Sequence, residues 1–121
     1  MDMLIVTPDA ARWSTFADSM TTAGHSTRYA ASIDEALEAA KAAKPALVLW
    51  DVIDSDESLR DDCVKIMMLD VRIHQCAATA RAHKDFHDVT EGMGFLPEIS
   101  ARLTADDARR VLASIEAIEK H

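Results

Sequence analysis

Pro45-Ala46-Leu47-Val48-Leu49-Trp50-Asp51-Val52 is the stretch that decides the fold. Proline lacks an N–H and clashes with the preceding helical turn, so Pro45 stops a helix and launches a new element. Ala46 to Trp50 is apolar without polar alternation. A strand with that pattern is covered on both faces, as central strands of parallel sheets are. Asp51 then sets a carboxylate at its carboxyl end. Upstream, Ser32-Ile33-Asp34-Glu35 is a capping box, in which the serine oxygen takes an amide proton and Glu35 reaches back. Ile33, Ala36, Leu37 and Ala40 form the buried stripe of the helix it starts. His25 to Ala31 reads as a short, polar edge strand. Gly24 precedes it as a helix C-cap, since glycine enters the left-handed region without steric cost. The helix that it ends carries Trp13, Phe16, Ala17 and Met20 on one face, at i, i+3, i+4 and i+7. Leu4-Ile5-Val6 is the first strand, ended by Thr7-Pro8-Asp9.

Downstream the pattern is less regular. Leu59, Cys63, Ile66 and Met67 give a third helical stripe. Val71 to Ala78 spans the next strand, although Arg72, His74 and Gln75 suit full burial poorly. Buried His74 and Gln75 would need hydrogen-bond partners, since an unpaired polar group costs about 1–3 kcal/mol. A small polar pocket is one reading; a strand that begins later than Val71 is the preferred one. Cys76 reads as a small buried hydrophobe. Ala82, Phe86, Val89 and Met93 outline a short fourth helix, ended by Gly92 and Gly94. Phe95-Leu96 is a minimal fifth strand, cut off by Pro97. Thr104-Ala105-Asp106-Asp107 caps a last helix whose face is Ala108, Val111, Leu112, Ile115 and Ile118.

Five strands alternating with five helices in 121 residues predict right-handed βαβ crossovers. The expected fold is α/β: a flavodoxin-like (βα)5 three-layer sandwich, with a five-stranded parallel sheet in order 2-1-3-4-5. One domain is expected over residues 1–121. Ligands of such sheets bind beyond the carboxyl ends of the strands. That directs attention to Thr7, Pro8, Asp9, Asp51, Thr79 and the segment from Phe95 to Ile99.

Composition narrows the partners. Lys and Arg number 13 against 21 Asp and Glu, a formal charge of −8. That argues against a nucleic-acid backbone and against an anionic membrane surface. No apolar run approaches the roughly 20 residues of a membrane span. Met1 to Val6 lacks the basic and long apolar regions of a signal peptide. Cys63 and Cys76 form neither a CxxC pair nor a disulfide framework. A reduced, cytoplasmic protein is the expectation. There is no GxSxG, Walker loop or GxGxxG.

Leu4-Ile5-Val6, the Pro45-to-Val52 segment and Ala78-Thr79-Ala80 stand in an order and spacing, with the capped helix from Ser32, that resemble a known family. The chain is similar over nearly its whole length to the receiver domain of bacterial two-component response regulators. The resemblance implies that Asp51 is the phosphoacceptor and that Thr79 binds a phosphoryl oxygen. In the family, a pair of acids after the first strand holds Mg²⁺, and a lysine after the fifth strand, usually followed by proline, pairs with the phosphoryl charge.

The chain departs from that set. Thr7 and Pro8 occupy the acid-pair positions, so neither supplies a carboxylate, and Asp9 and Asp51 are left as the weak metal-ligand candidates there. The lysine position falls near Glu98, with Ile99 where proline is usual, and Arg102 is the nearest cation in the sequence. A phosphoryl group on Asp51 would then face a carboxylate. The expected function is therefore a stand-alone, receiver-like signalling module acting through protein–protein contacts, a pseudo-receiver that keeps Asp51 but has lost the acid pair and lysine. It is not expected to be an enzyme, and no cofactor is expected unless the site is active and takes Mg²⁺. The alternative is a true single-domain response regulator that accepts a phosphoryl group on Asp51 in a phosphorelay. The partner is a protein, such as a histidine kinase or another signalling protein. Phe95, Leu96 and the apolar last helix suggest a homodimer through the fourth helix, fifth strand and fifth helix.

Each candidate also has a plainer reading. Asp51 and Thr79 suit capping of the backbone just after them. Asp54, Asp56 and Glu57 are carboxylates able to aid a divalent ion, and their plainer, preferred reading is an acidic, solvated loop. His83 and His87, at i and i+4 on the fourth helix, have the spacing of zinc ligands but no evident third partner.

Overall fold

The computed structural model describes residues 1–52, 59–79, 96 and 98–119. Five strands form one all-parallel sheet: β1 (Asp2–Val6), β2 (Ser26–Ala30), β3 (Leu47–Val52), β4 (His74–Thr79) and β5 (Ile99–Ser100). Their order is β2-β1-β3-β4-β5, as the alternation of elements predicted. The described helices are α1 (Ser14–Thr22), α2 (Ile33–Ala42), α3 (Leu59–Leu69) and α4 (Ala105–Glu119), with a 3₁₀ turn at Ala10–Trp13 before α1.

Strand alternation divides the interior into two cores. Met3 and Ile5 of β1, Leu47 and Leu49 of β3, and Cys76 and Ala78 of β4 pack with Trp13, Phe16 and Met20 and with Ala108, Val111 and Ile115 of α4. Leu4, Val6, Val48, Trp50 and Ala77 face the other way, against Ala36 of α2 and Leu59, Cys63 and Ile66 of α3. The sheet is thus the middle layer of three. β3 lies between β1 and β4, and Leu47, Val48 and Leu49 are fully buried, which is what its unbroken apolar run requires.

The local signals act as their chemistry dictates. Gly24 has φ +92°. Its N–H bonds the Thr21 carbonyl and the His25 N–H bonds the Met20 carbonyl, the paired bonds of a Schellman motif. Ser32 Oγ accepts the Glu35 N–H. The Glu35 carboxylate reaches back one residue further than a standard box, to the Ala31 N–H. β2 is the edge strand expected, with one buried residue, Ala30.

Two strand placements are corrected. β4 starts at His74, three residues after Val71, and Val71 is exposed. Gln75 is nonetheless buried, so the later start and the polar pocket both hold. Trp50 Nε1 donates to Gln75 Oε1 at 2.7 Å, and Gln75 Nε2 donates to the Cys63 carbonyl at 3.2 Å. The fifth strand is not Phe95-Leu96 but Ile99–Ser100, paired with Ala78 and Thr79. Leu96 gives its N–H to the Gln75 carbonyl, and Pro97 has no N–H to continue a ladder. Pairing resumes at Ile99, a β-branched residue with a buried side chain. The predicted fourth helix (Ala82 to Met93), His83, His87, Asp54, Asp56, Glu57 and Phe95 lie outside the described residues.

Leu96, Val111 and Ile115 are buried in the chain's own core. The apolar surface that suggested a homodimer is to that extent already covered. No helix among the described residues is long and apolar enough to cross a membrane.

Candidate functional site

The site lies at the carboxyl end of β3, built by the β1–α1 connection. Thr7 is the buried residue that ends the β1 run. Its Oγ1 accepts the Asp9 N–H at 3.1 Å, a two-residue turn closed by a threonine hydroxyl. The hydroxyl proton is thereby left to point elsewhere, and it is donated to Asp51 Oδ2 at 2.7 Å. The 3₁₀ turn comes next, closed by the Arg12 N–H on the Asp9 carbonyl. It delivers two further side chains. Trp13 is buried in an edge-to-face contact with Phe16, 5.2 Å between ring centres, and its Nε1 donates to Asp51 Oδ2 at 2.9 Å. Arg12 lays its guanidinium on the same carboxylate, Nη2 to Oδ1 at 2.7 Å and Nε to Oδ2 at 3.4 Å.

Asp51 therefore meets four donors, one on Oδ1 and three on Oδ2. A carboxylate offers about four lone-pair sites. Its side chain is 0% exposed, while that of Arg12 is 24% exposed. Burial by itself would raise the Asp51 pKa. The hydrogen bonds from Arg12, Trp13 and Thr7, and then the Arg12 charge, outweigh it and hold the carboxyl below the usual carboxylate range. Asp51 is ionised, paired and enclosed.

The other candidates stand apart from this cluster. Asp9 is exposed, and its contribution is the backbone N–H given to Thr7. Thr79 is buried at the end of β4 and pairs with Val52; the register sets Ala78 beside Asp51. Thr79 thus has the strand parity of Gln75 and Ala77, the face opposite to that of Asp51. With β5 at Ile99–Ser100, Glu98 precedes that strand, and Ala101 and Arg102 come after it. Among the described residues, no group of three or more His, Cys, Asp or Glu side chains could hold a metal ion. Cys63 and Cys76 are buried thiols outside any disulfide; burial pushes the Cys63 thiol far up and the Cys76 thiol up to about 12, so neither is poised as a nucleophile.

Sequence reasoning missed Arg12 and Trp13 as site residues. Arg102 is the cation nearest the family's lysine position, whereas the cation on Asp51 is Arg12, 39 positions away along the chain. Trp13 reads as part of the core stripe, where its ring does lie, but its indole N–H serves Asp51. One signal was available: a buried strand-end Asp that lacks the lysine of receiver domains needs another cation, and Arg12 is the only cation between β1 and α1.

Comparison with solved structures settles the fold. It is that of the response-regulator receiver domains. A response regulator from Thermotoga maritima superimposes with a TM-score of 0.85 at 18% identity, over 95% of this chain and 97% of its own. A CheY-like receiver domain protein from Methanospirillum hungatei JF-1 gives 0.80 at 20% identity, over 98% and 96%. NtrX from Brucella abortus gives 0.78 at 22% identity over 98% of this chain, which spans only 27% of NtrX. No family model matches the chain, and no curated protein matches it.

Proposed function

We propose that this chain is a receiver-fold signalling module that acts through protein contacts, with Asp51 serving as a structural anion rather than as a phosphoacceptor. The observation that carries this reading is the engaged Asp51 carboxylate: four donors from three side chains, two of them on one guanidinium, around a side chain with no exposed surface. A phosphoacceptor must present a free lone pair to phosphorus, with a divalent ion neutralising the incoming group. Here three donors crowd Oδ2, Arg12 Nη2 sits on Oδ1, and the neutralising charge is Arg12 rather than a divalent ion.

Among the described residues, the side chains around Asp51 do not fit Mg²⁺. That ion requires oxygen ligands at about 2.0–2.1 Å in octahedral array. The family's acid positions hold Thr7 and Pro8, Asp9 is exposed, and both Asp51 oxygens face N–H or O–H donors. A protein is the partner class that this reading requires. A homodimer through the fourth helix, fifth strand and last helix has less support than the sequence suggested, because Leu96, Val111 and Ile115 are spent within the monomer core.

One observation favours the second reading, a phosphorelay receiver served by a histidine kinase. Asp51 keeps the strand-end position and is held ionised, as a nucleophilic carboxylate must be. Incubation with acetyl phosphate and Mg²⁺ separates the two. The proposal expects no phosphoryl adduct by intact mass and no beryllofluoride-induced NMR shifts. An adduct that disappears in Asp51→Ala would overturn it.

A further inference from the structure

Arg12 holds two places at once. Its Nε and Nη2 lie on Asp51, and its Nη1 donates to the carbonyl of Ala101, 89 positions along the chain and directly after β5. The turn that it grips is an unusual one. Leu103 sits in the left-handed region at φ +55° with its side chain buried. For a residue with a Cβ that conformation is strained and persists only where the surroundings over-determine it. The far side of the turn is held locally by Asp107, which accepts Ser100 Oγ at 2.8 Å, the Thr104 N–H at 2.9 Å and Thr104 Oγ1 at 3.0 Å. The near side is held by Arg12. A guanidinium is planar, with its donors in a fixed fork, so the edge bound to Asp51 fixes the position of Nη1.

We infer that Arg12 is a rigid link through which the charge on Asp51 sets the conformation of the Ser100–Thr104 turn. This path runs from β3 through the β1–α1 connection to the end of β5, and it needs no phosphoryl group. The turn forms one wall of an open surface groove that also carries Arg109, Arg110 and Ala113 of α4. A change of charge or pairing at the enclosed Asp51 thereby reaches a surface that a protein can touch. The inference goes beyond the function proposed above and holds whether or not Asp51 is ever phosphorylated.

The test is ¹H–¹⁵N NMR with amide exchange on the whole chain at neutral pH, with no phosphodonor present. Asp51→Asn and Arg12→Met are each expected to shift the Arg102, Leu103 and Thr104 amides and to speed their exchange, by about threefold or more if the local opening free energy falls. The double variant should match the singles rather than add them. Arg12→Lys, whose single ammonium can neutralise Asp51 without spanning to Ala101, is expected to release the turn while remaining folded by circular dichroism. Thr7→Val, which removes a donor from Asp51 but leaves Arg12 in place, should leave the turn signals unmoved. Changes in Asp51→Asn that stop at Thr7, Arg12 and Trp13, an Arg12→Lys turn identical to the parent, or a Thr7→Val turn displaced as far as in Arg12→Met would each overturn the link.

Discussion

The two tryptophans of this chain do the same chemical task on opposite faces of the sheet. Trp50 donates its indole N–H to the neutral amide of Gln75, and Trp13 donates its own to the carboxylate of Asp51. Around Gln75 the network is small and neutral: one indole, one amide and the Cys63 carbonyl, between β3, β4 and α3. Around Asp51 a formal charge is enclosed, and one indole cannot balance it. The structure adds a guanidinium and a hydroxyl from the β1–α1 connection. Burying a neutral polar group requires only that its hydrogen bonds be met. Burying a charge also requires an opposite charge. A neutral network can therefore be closed by an indole and a backbone carbonyl, whereas the charged one draws a cation from the β1–α1 connection across the end of the sheet and stakes more stability on one residue.

The largest test of that contrast is Arg12→Met, which keeps the aliphatic stem and leaves a buried carboxylate unpaired. A loss of about 3–5 kcal/mol at neutral pH is expected in urea denaturation. The loss should depend on pH. In the parent the folded pKa of Asp51 lies below its unfolded value. The stabilisation is therefore complete above the unfolded value, about 4, and fades as pH falls through the folded one. Without Arg12, burial dominates and the carboxyl protonates more readily, so the gap between parent and variant should close in acid. A gap that stays constant down to about pH 3 would refute the ion pair as its source. Adding Asp51→Asn to Arg12→Met should recover part of the lost stability, since the enclosed group is then neutral.

Trp13→Phe comes next. It keeps most of the ring packing and removes one hydrogen bond to a charged group, an expected cost of about 1.5–3 kcal/mol by denaturant midpoint. Gln75→Leu probes the neutral counterpart. It strands the Trp50 indole N–H, at about 1–3 kcal/mol, and the cost should be flat between about pH 4 and 8, because nothing in that network titrates there. A pH-dependent Gln75→Leu would erase the distinction between the two clusters. Thr7→Val is the smallest, about 1 kcal/mol, as one of four donors is lost.

Much of the architecture was legible because it rests on short-range chemistry. The unbroken apolar run before Asp51 placed β3 at the centre, the Ser32 box began α2, and Gly24 ended α1. The fifth strand was not legible, because Leu96 and Ile99 are both apolar and flank Pro97, and only pairing with Gln75, Ala78 and Thr79 shows which of them extends the ladder. The site was legible by half. Asp51 could be read from its place after the apolar run and the missing acid pair from the resemblance to receiver domains, but Thr7 reads as an absent ligand rather than as a donor. Arg12 lies three residues beyond Asp9, at a position where a lone arginine looks like surface, and no local pattern aims it at residue 51.

The sequence by itself determined an α/β chain with a parallel sheet, its order, and a carboxylate at the end of the central strand. Hydrophobic periodicity, caps and breakers act within a few residues and can be read one segment at a time. Only the tertiary structure decided what surrounds that carboxylate. Its partners, at positions 7, 12 and 13, are brought to position 51 by the pairing of β1 with β3. The balance between the cost of enclosing a charge and the gain from a guanidinium, an indole and a hydroxyl exists only once those groups share one enclosed space.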